Sequence, residues 1–210
     1  FDTKGIELSL DLIPFRNEKF DWAINVNFAT FRTTVRNLPA DQAEYYNSDT
    51  WLYGNARASA FVNRDDIVKY FSTVNLAGAE LRGAGSAMSI GGYDYLRNNN
   101  GQILINPVSG LPLINTNFLP IGDRTPDFTM GVNNTLTYGA FSLSFLFDIR
   151  KGGDVYNGTE RFLWLSGLSN KLEDRNIPYT FNGVLRDGRE NSDQPTPNTI
   201  QISPLTRTEF

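Results

Sequence analysis

Residues 128–149 run Phe128-Thr-Met-Gly-Val-Asn-Asn-Thr-Leu-Thr-Tyr-Gly-Ala-Phe-Ser-Leu-Ser-Phe-Leu-Phe-Asp-Ile149, and this stretch decides the fold. Before Gly139, large apolar side chains alternate with small or polar ones, interrupted only at Asn134. After Ala140 the alternation resumes, with Leu146 as the single exception. Since side chains of a strand alternate between two faces, each half is predicted to be a β-strand with one apolar and one polar face. The short turn between the halves predicts an antiparallel hairpin.

The length of the two arms is unusual for a soluble protein. Each arm has about ten residues, close to the ~9–11 of a tilted transmembrane strand and longer than the ~5–6 of an ordinary strand. An apolar face toward lipid and a polar face toward a watery lumen explain the pattern. A long hairpin of a soluble β-sandwich, with its apolar face in the core, explains it as well. Periodicity alone leaves both interpretations open.

Several separated segments resemble one known family, in the right order. Together they are similar to late-barrel sequences of the SusC/RagA family, the TonB-linked outer-membrane transporters of Bacteroidetes. The segments are Ile121–Tyr138 with Phe141–Asn157, the upstream Lys4–Trp22, and Gly183-Val-Leu-Arg-Asp-Gly188.

The resemblance implies an all-β fold of antiparallel up-and-down strands, a partial transmembrane β-barrel segment with long extracellular loops. Residues 1–210 are then part of one TonB-dependent-receptor-like β-barrel domain. Its expected divisions are a hairpin at 5–37, a loop region at 38–125, a hairpin at 126–156 and a loop at 157–210.

The resemblance also implies a function, the import of glycans or other nutrients across the bacterial outer membrane. The implied partners are the lipid bilayer, a SusD-like surface lipoprotein, an oligosaccharide or peptide substrate, and a TonB complex acting through a plug domain outside this chain. No cofactor, metal or catalytic residue is expected. Trp51, Tyr53 and Trp164 are the candidates to face substrate or lid. The expected lipid-facing residues are Phe128, Met130, Val132, Phe141, Leu143, Phe145 and Phe147.

Composition removes several other function classes. The 210 residues contain neither cysteine nor histidine, so Cys/His zinc sites, Ser-His-Asp triads and Cys-His dyads cannot form within the chain. A net charge of −4 argues against a nucleic-acid binder. No stretch approaches the ~20 apolar residues of a membrane helix. The acidic pairs Asp65-Asp66 and Glu173-Asp174, and Asp123 with Asp127, lack calcium-loop spacing and are expected on the solvated surface.

The first hairpin is predicted from the same alternation. Residues 6–12 and 20–28 alternate cleanly, Pro14 is expected to end the first strand, and residues 15–19 supply the turn. Phe31 falls in the polar row, which predicts a β-bulge near residues 29–31. Short turns near 14–19 and 139–140 are expected in the periplasm, with the long loops outside.

The remaining segments are predicted to be loops with a few short elements. Aromatic residues between 51 and 71 form either a stacking platform for a nutrient or the loop's own small core. The short elements expected are a helical turn within 38–47, a helix at 64–71, strands within 86–96 and 102–106 around a turn at 98–101, irregular chain at 107–126, and a helix at 161–165.

Three function hypotheses follow. The first is a transporter segment, the second is a soluble extracellular carbohydrate-binding β-domain, and the third is a secreted glycosidase, for which no carboxylate pair in a cleft is evident. The chain begins at Phe1 without methionine or an export signal, so we expect an internal fragment. Because ~8 strands are needed to close a barrel, the four long strands, or six strands at most, should form an open sheet that aggregates when expressed alone.

Overall fold

The computed structural model describes residues 1–36, 38–39, 42–52, 56–70, 76, 78–173 and 177–202. Ten strands and two α-helices follow one another along this part of the chain. Their bounds are β1 Asp2–Arg16, β2 Phe20–Thr34, β3 Glu44–Leu52, β4 Ala56–Phe61, α1 Arg64–Tyr70, β5 Ser89–Gly92, β6 Leu104–Ile105, β7 Leu119–Asp123, β8 Phe128–Tyr138, β9 Phe141–Lys151, α2 Gly158–Leu165 and β10 Val184–Leu185.

The longest strands form one antiparallel sheet in the order β1-β2-β8-β9, called here the long sheet. Residues 35–127, called here the excursion, separate β2 from β8 in sequence, although these strands pair from Phe20 with Tyr138 to Ala29 with Thr129. Both short turns lie at the same end, where the Gly139 N–H donates to the Lys19 carbonyl at 3.0 Å. The excursion and the chain after β9 therefore leave the sheet at its opposite end. The long sheet is open, because β1 and β9 are its two edges and do not pair with each other. Four strands are too few to close a barrel.

Two expectations for the first hairpin are wrong. Pro14 does not end β1, because a bulge between Leu12 and Phe15 takes the proline out of the ladder and pairing resumes at Phe15. No bulge occurs near residues 29–31, where the register runs unbroken to Thr34. Phe31 instead lies opposite Gly5, at which a Cβ would come within 2.9 Å of the Phe31 Cβ. The missing side chain makes room for the aromatic one.

The excursion has a small core of its own. Strands β3-β4-β5-β7 form a second antiparallel sheet, and Phe61 and Ile67 are completely buried beneath it with Val35, Val62 and Leu119. The helix expected at 64–71 is confirmed as α1 over Arg64–Tyr70, and Phe71 lies outside the described residues. Of the helical turn expected within 38–47, residues 44–47 belong to β3, whereas the Gln42 N–H donates to the Pro39 carbonyl at 3.2 Å and residues 40 and 41 lie outside the described residues. Residues 107–126 are also not wholly irregular, because β7 contains Pro120 beside a register shift.

A third pairing joins the end of the chain to the excursion. Strand β10 pairs in parallel with the short strand β6, and the turn expected at 98–101 is confirmed. The buried Asn98 amide donates to the Gln102 side chain at 2.9 Å and to the Glu190 carbonyl at 2.8 Å. The helix expected at 161–165 is confirmed as α2, and its N-cap Asn157 accepts from the Glu160 N–H at 3.0 Å.

The described strands are antiparallel except for the β6–β10 pair, so the all-β antiparallel prediction is confirmed. In the part of the chain that the structure covers, no helix combines the length and the apolar character needed to cross a membrane.

Candidate functional site

The long sheet has one apolar face that crosses all four strands. Residues directly opposite each other in an antiparallel pair point to the same side. One row runs Leu10, Val26, Val132, Phe147, and the row above it runs Leu8, Phe28, Met130, Ile149. Every residue expected to face lipid lies on this face, namely Phe128, Met130, Val132, Phe141, Leu143, Phe145 and Phe147.

This apolar face is uncovered. Leu8 and Leu143 are each 61% exposed, and Phe141 is 80% exposed. The small core of the excursion contains no residue of β1, β8 or β9. Monomeric soluble proteins rarely expose apolar patches larger than a few hundred Å². A row of large apolar side chains across four strands therefore requires another environment to cover it.

The height of the apolar face matches that of a membrane band. Phe20 to Phe28 spans about 26 Å along β2 at ~3.3 Å per residue. A strand tilt of ~40° reduces this to roughly 20 Å, near the ~25 Å band of outer-membrane barrels. Aromatic side chains lie at both borders, as in the girdles of such barrels. The Phe15 and Phe20 rings are 5.7 Å apart at the turn end, and the Phe28 and Phe128 rings are 5.5 Å apart at the other.

Asn134 interrupts the apolar row, and the structure supplies its partner. The indole Nε1 of Trp22 donates to Asn134 Oδ1 at 3.2 Å, and Asn134 is only 6% exposed. Both groups are therefore satisfied within the apolar face, which lowers the cost of placing them in an apolar medium.

The opposite face of the long sheet is polar and hydrogen-bonded across strands. Asn25 donates to Asp11 at 2.5 Å and Ser9 donates to Asn27 at 3.1 Å. Leu146 is the one large apolar residue of β9 on this side and is 62% exposed. Polar ladders of this kind suit a surface that meets water.

A polar junction joins the long sheet to the excursion just beyond β9. Gly152 and Gly153 both adopt left-handed backbone conformations, with φ of 74° and 81°. The resulting bend brings the Asp154 carboxylate to the Asp123 N–H at 2.8 Å and to the Arg82 guanidinium at 2.9 Å. Asp123 in turn accepts from the Ser86 hydroxyl at 3.0 Å. The Lys-Gly-Gly-Asp sequence therefore works as a structural turn that anchors the excursion.

Within the second sheet, an ion pair is enclosed by aromatic rings. Arg57 donates to both carboxylate oxygens of Glu44, at 2.7 and 2.5 Å, and both side chains are more than four-fifths buried. Its guanidinium carbon lies 4.9 Å from the ring centre of Tyr46 and 4.5 Å from that of Phe118. The hydrogen bonds that Arg57 donates to Glu44 raise the pKa of Arg57 above its usual value. Sequence reasoning missed this cluster, whose only signal was polar residues in the strand pattern.

Of the three substrate- or lid-facing candidates, only Trp164 has a described side chain. Trp51 lies in β3, but its side chain is outside the described part, and Tyr53 lies outside the described residues altogether. Trp164 is half-buried in α2, which also exposes Phe162 and Leu165. Of the aromatic residues between 51 and 71, Phe61 is completely buried, as a small core within the loop requires, whereas Tyr70 is 40% exposed.

Two of the acidic residues singled out from the sequence have structural partners, while Asp65, Asp127 and Glu173 are exposed. Asp66 pairs with Lys69 at 2.7 Å in α1, and Asp123 belongs to the junction described above. Asp174 lies outside the described residues. No group of three or more acidic residues suited to a metal ion occurs within the described ranges.

The curated proteins to which this chain is similar in sequence are TonB-dependent receptors. No protein-family model matches the chain. A TonB-dependent receptor of Formosa agariphila is 26% identical over 176 residues, covering 82% of this chain and 17% of the receptor. A second receptor of that name from the same organism is 22% identical over 184 residues, covering 74% of this chain and 17% of the receptor. The chain thus spans about a sixth of the length of the curated relatives it matches.

A solved structure described as the RagAB peptide transporter is also similar, with 16% identity and a TM-score of 0.48. The match covers 93% of this chain and 20% of that one. The sequence relatives confirm the resemblance expected from the motifs and the outer-membrane location that it implied. The chain is therefore similar to a segment of the TonB-dependent receptors.

Proposed function

We propose that the chain forms part of the barrel wall of an outer-membrane transporter that imports nutrients. The observation that carries this proposal is the uncovered apolar face of the long sheet, backed by a polar face. A barrel wall needs this combination because its outside meets lipid and its inside meets water. On this proposal Phe128, Met130, Val132, Phe141, Leu143, Phe145 and Phe147 contact lipid.

The positions of the connections support an orientation. Outer-membrane barrels have short periplasmic turns and long extracellular loops. Both short turns lie at one end of the long sheet, and the excursion leaves from the other. The excursion and the segment after β9 are then outside the cell, where Trp51, Tyr53 and Trp164 can face substrate or a SusD-like lipoprotein lid.

The named activities of the relatives guide the finer proposal. The sequence relatives from Formosa agariphila are TonB-dependent receptors, and the RagAB structure is described as a peptide transporter. We therefore expect binding and translocation without bond cleavage, driven by a TonB complex through a plug outside this chain. The substrate is a glycan oligosaccharide or a peptide.

The soluble carbohydrate-binding alternative requires a second layer over the apolar face. Within the described residues no such layer is present, since β1 and β9 are exposed along nearly their whole lengths. This observation favours the transporter.

Fractionation and uptake test the proposal. The full-length receptor containing this segment should be found in the outer-membrane fraction, and cells lacking it should lose growth on one class of oligosaccharide or peptide. A protonophore should abolish the uptake that the complemented strain regains. Recovery of the receptor in a soluble fraction would overturn the proposal.

A further inference from the structure

The apolar face of the long sheet is charged at one border only. Alternation places Lys4 two residues beyond Ile6 on this face, and Arg32 is its direct cross-strand partner on β2. Lys151 ends β9 on the same side. At the turn end the face finishes in the aromatic residues Phe20, Tyr138 and Phe141. The cations therefore mark the border next to the excursion.

Lys4 and Arg32 are paired cations, and the next row of the same face carries the carboxylate of Asp2. Like charges directly opposite on neighbouring strands repel each other. The next carboxylate on this face, Asp2, is already held by Arg36 at 2.6 Å. Among the residues that the structure describes, neither the Lys4 nor the Arg32 side chain makes a hydrogen bond or an ion pair. Asp2 also interacts electrostatically with Lys4, so Lys4, Arg32 and Arg36 together with this one carboxylate leave a local excess of positive charge at the edge of an apolar surface.

A cavity of about 900 Å³ opens at the same place. One wall carries Lys4, Arg32 and Arg36 from the strand ends, and residues 83–86 of the excursion form another. The Asp2 and Asp123 carboxylates also line the cavity, but Asp2 is paired with Arg36, and Asp123 already accepts from the Ser86 hydroxyl and the Thr125 N–H. The volume is in the range of ligand pockets of ~300–1,000 Å³.

We propose that Lys4 and Arg32 bind the phosphate groups of an outer-leaflet lipid whose acyl chains lie on the apolar face. The inference rests on the proposed function, because it needs this face to meet lipid. Guanidinium and ammonium groups are the usual protein partners of phosphate. Long cationic side chains at a membrane border extend toward the headgroups while their stems stay on apolar surface. A single amphiphile would satisfy both the charge pair and the apolar side chains below it.

Lipid titration of the purified full-length receptor tests this site. The probe is lipid A with two phosphates, compared with the same glycolipid after dephosphorylation, and bound lipid is counted by native mass spectrometry. One cation at a membrane surface contributes about a fivefold change in affinity, so the double variant K4Q/R32Q should bind diphosphorylated lipid A roughly 20- to 30-fold more weakly. The dephosphorylated lipid should bind both proteins alike.

Matched variants separate charge from damage to the fold. The exchange K4R/R32K keeps both charges and should bind within about threefold of the wild type. Lys19→Gln removes one charge at the turn end and should have no effect. The single variant Lys4→Gln gives an intermediate loss if the double variant folds poorly. Unchanged binding of diphosphorylated lipid A to K4Q/R32Q would overturn the inference.

A parallel measurement distinguishes this failure from failure of the proposed function. A cysteine at Leu143 is treated with a bilayer-dissolved thiol reagent in the native membrane. If the cysteine reacts while K4Q/R32Q binds lipid A with the same affinity as the wild type, only the headgroup site is wrong. If the cysteine is shielded from lipid, the membrane-facing assignment is wrong and the lipid site falls with it.

Discussion

Leu143 and Leu146 provide a matched pair for testing which face of β9 meets lipid. They are the same residue type in one strand, and they are 61% and 62% exposed. Leu143 lies on the apolar face opposite Leu136, whereas Leu146 lies on the polar face opposite Asn133. If both faces met water, replacing either leucine by arginine would change the free energy of unfolding by no more than about 0.5 kcal/mol.

The membrane account predicts different results for the two replacements. An arginine on the lipid face of a barrel costs ~2–4 kcal/mol at the midplane and ~0–1 kcal/mol near the interface. Leu143 lies one row in from the turn-end border at Phe141, about 7 Å along the strand. We therefore expect Leu143→Arg to cost about 1–3 kcal/mol and Leu146→Arg to stay within about 0.5 kcal/mol.

The assay is urea unfolding of the full-length receptor in phosphatidylcholine liposomes, followed by loss of its compact electrophoretic mobility. The Leu143→Arg midpoint should fall clearly below the wild type while the Leu146→Arg midpoint stays close to it. Equal midpoints for the two variants would refute the reasoning, and a larger loss for Leu146→Arg would place the lipid on the other face.

Three further predictions concern the excursion, each measured by hydrogen exchange in the full-length receptor. Glu44→Ala leaves the enclosed Arg57 guanidinium without its carboxylate, so amides of β3 and β4 should lose about 2–3 kcal/mol of protection; unchanged exchange would mean that the pair contributes nothing. Gly91→Ala places a methyl group 2.3 Å from the Phe118 ring, so β5 and β7 should exchange faster by an amount equivalent to about 1–3 kcal/mol, and a neutral result would show that the ring moves freely aside. Asp154→Ala removes the acceptor of two hydrogen bonds at the junction, so amides around residues 82 and 123 should exchange faster while those of β8 and β9 stay unchanged. The same exchange rates in the variant and the wild type would show that the junction does not anchor the excursion.

The long strands were predictable from sequence because their signal is local. Alternation over ten or more residues fixes both the strand and its two faces, and the hairpin at Gly139–Ala140 follows from it. The pairing of β2 with β8 was not predictable in this way. The excursion of residues 35–127 separates the two strands, and the residue pattern of neither strand identifies the strand with which it pairs. The register had to come from the three-dimensional structure.

The errors arose where one residue compensates for another far away. Phe31 broke the alternation and suggested a bulge, but Gly5 across the strand pair makes room for its ring. Asn134 broke the apolar row, yet Trp22 donates to it from β2. Pro120 argued for irregular chain, whereas a register shift in the neighbouring strand admits it to β7. Single-strand patterns do not contain these partners.

The candidate site was predictable only as far as alternation reaches. The seven residues expected to face lipid lie together on one face, as their parity required. The cation pair Lys4 and Arg32 could not be predicted from the sequence, because it exists only where strand pairing places the two residues opposite each other at the border of that face. Whether the loop aromatics Trp51, Tyr53 and Trp164 face substrate or lid stays a prediction.

Thiol accessibility along β9 tests the central claim most directly. Single cysteines at Leu143, Ser144, Phe145 and Asp148 are introduced into the full-length receptor and treated in the membrane with a bilayer-dissolved and a water-soluble reagent. The native stretch contains no cysteine to interfere. The account predicts that positions 143 and 145 react only with the lipid reagent, while 144 and 148 react only with the aqueous one. Shielding of 143 and 145 from both reagents would contradict it, because the apolar face would then be the core of a soluble domain.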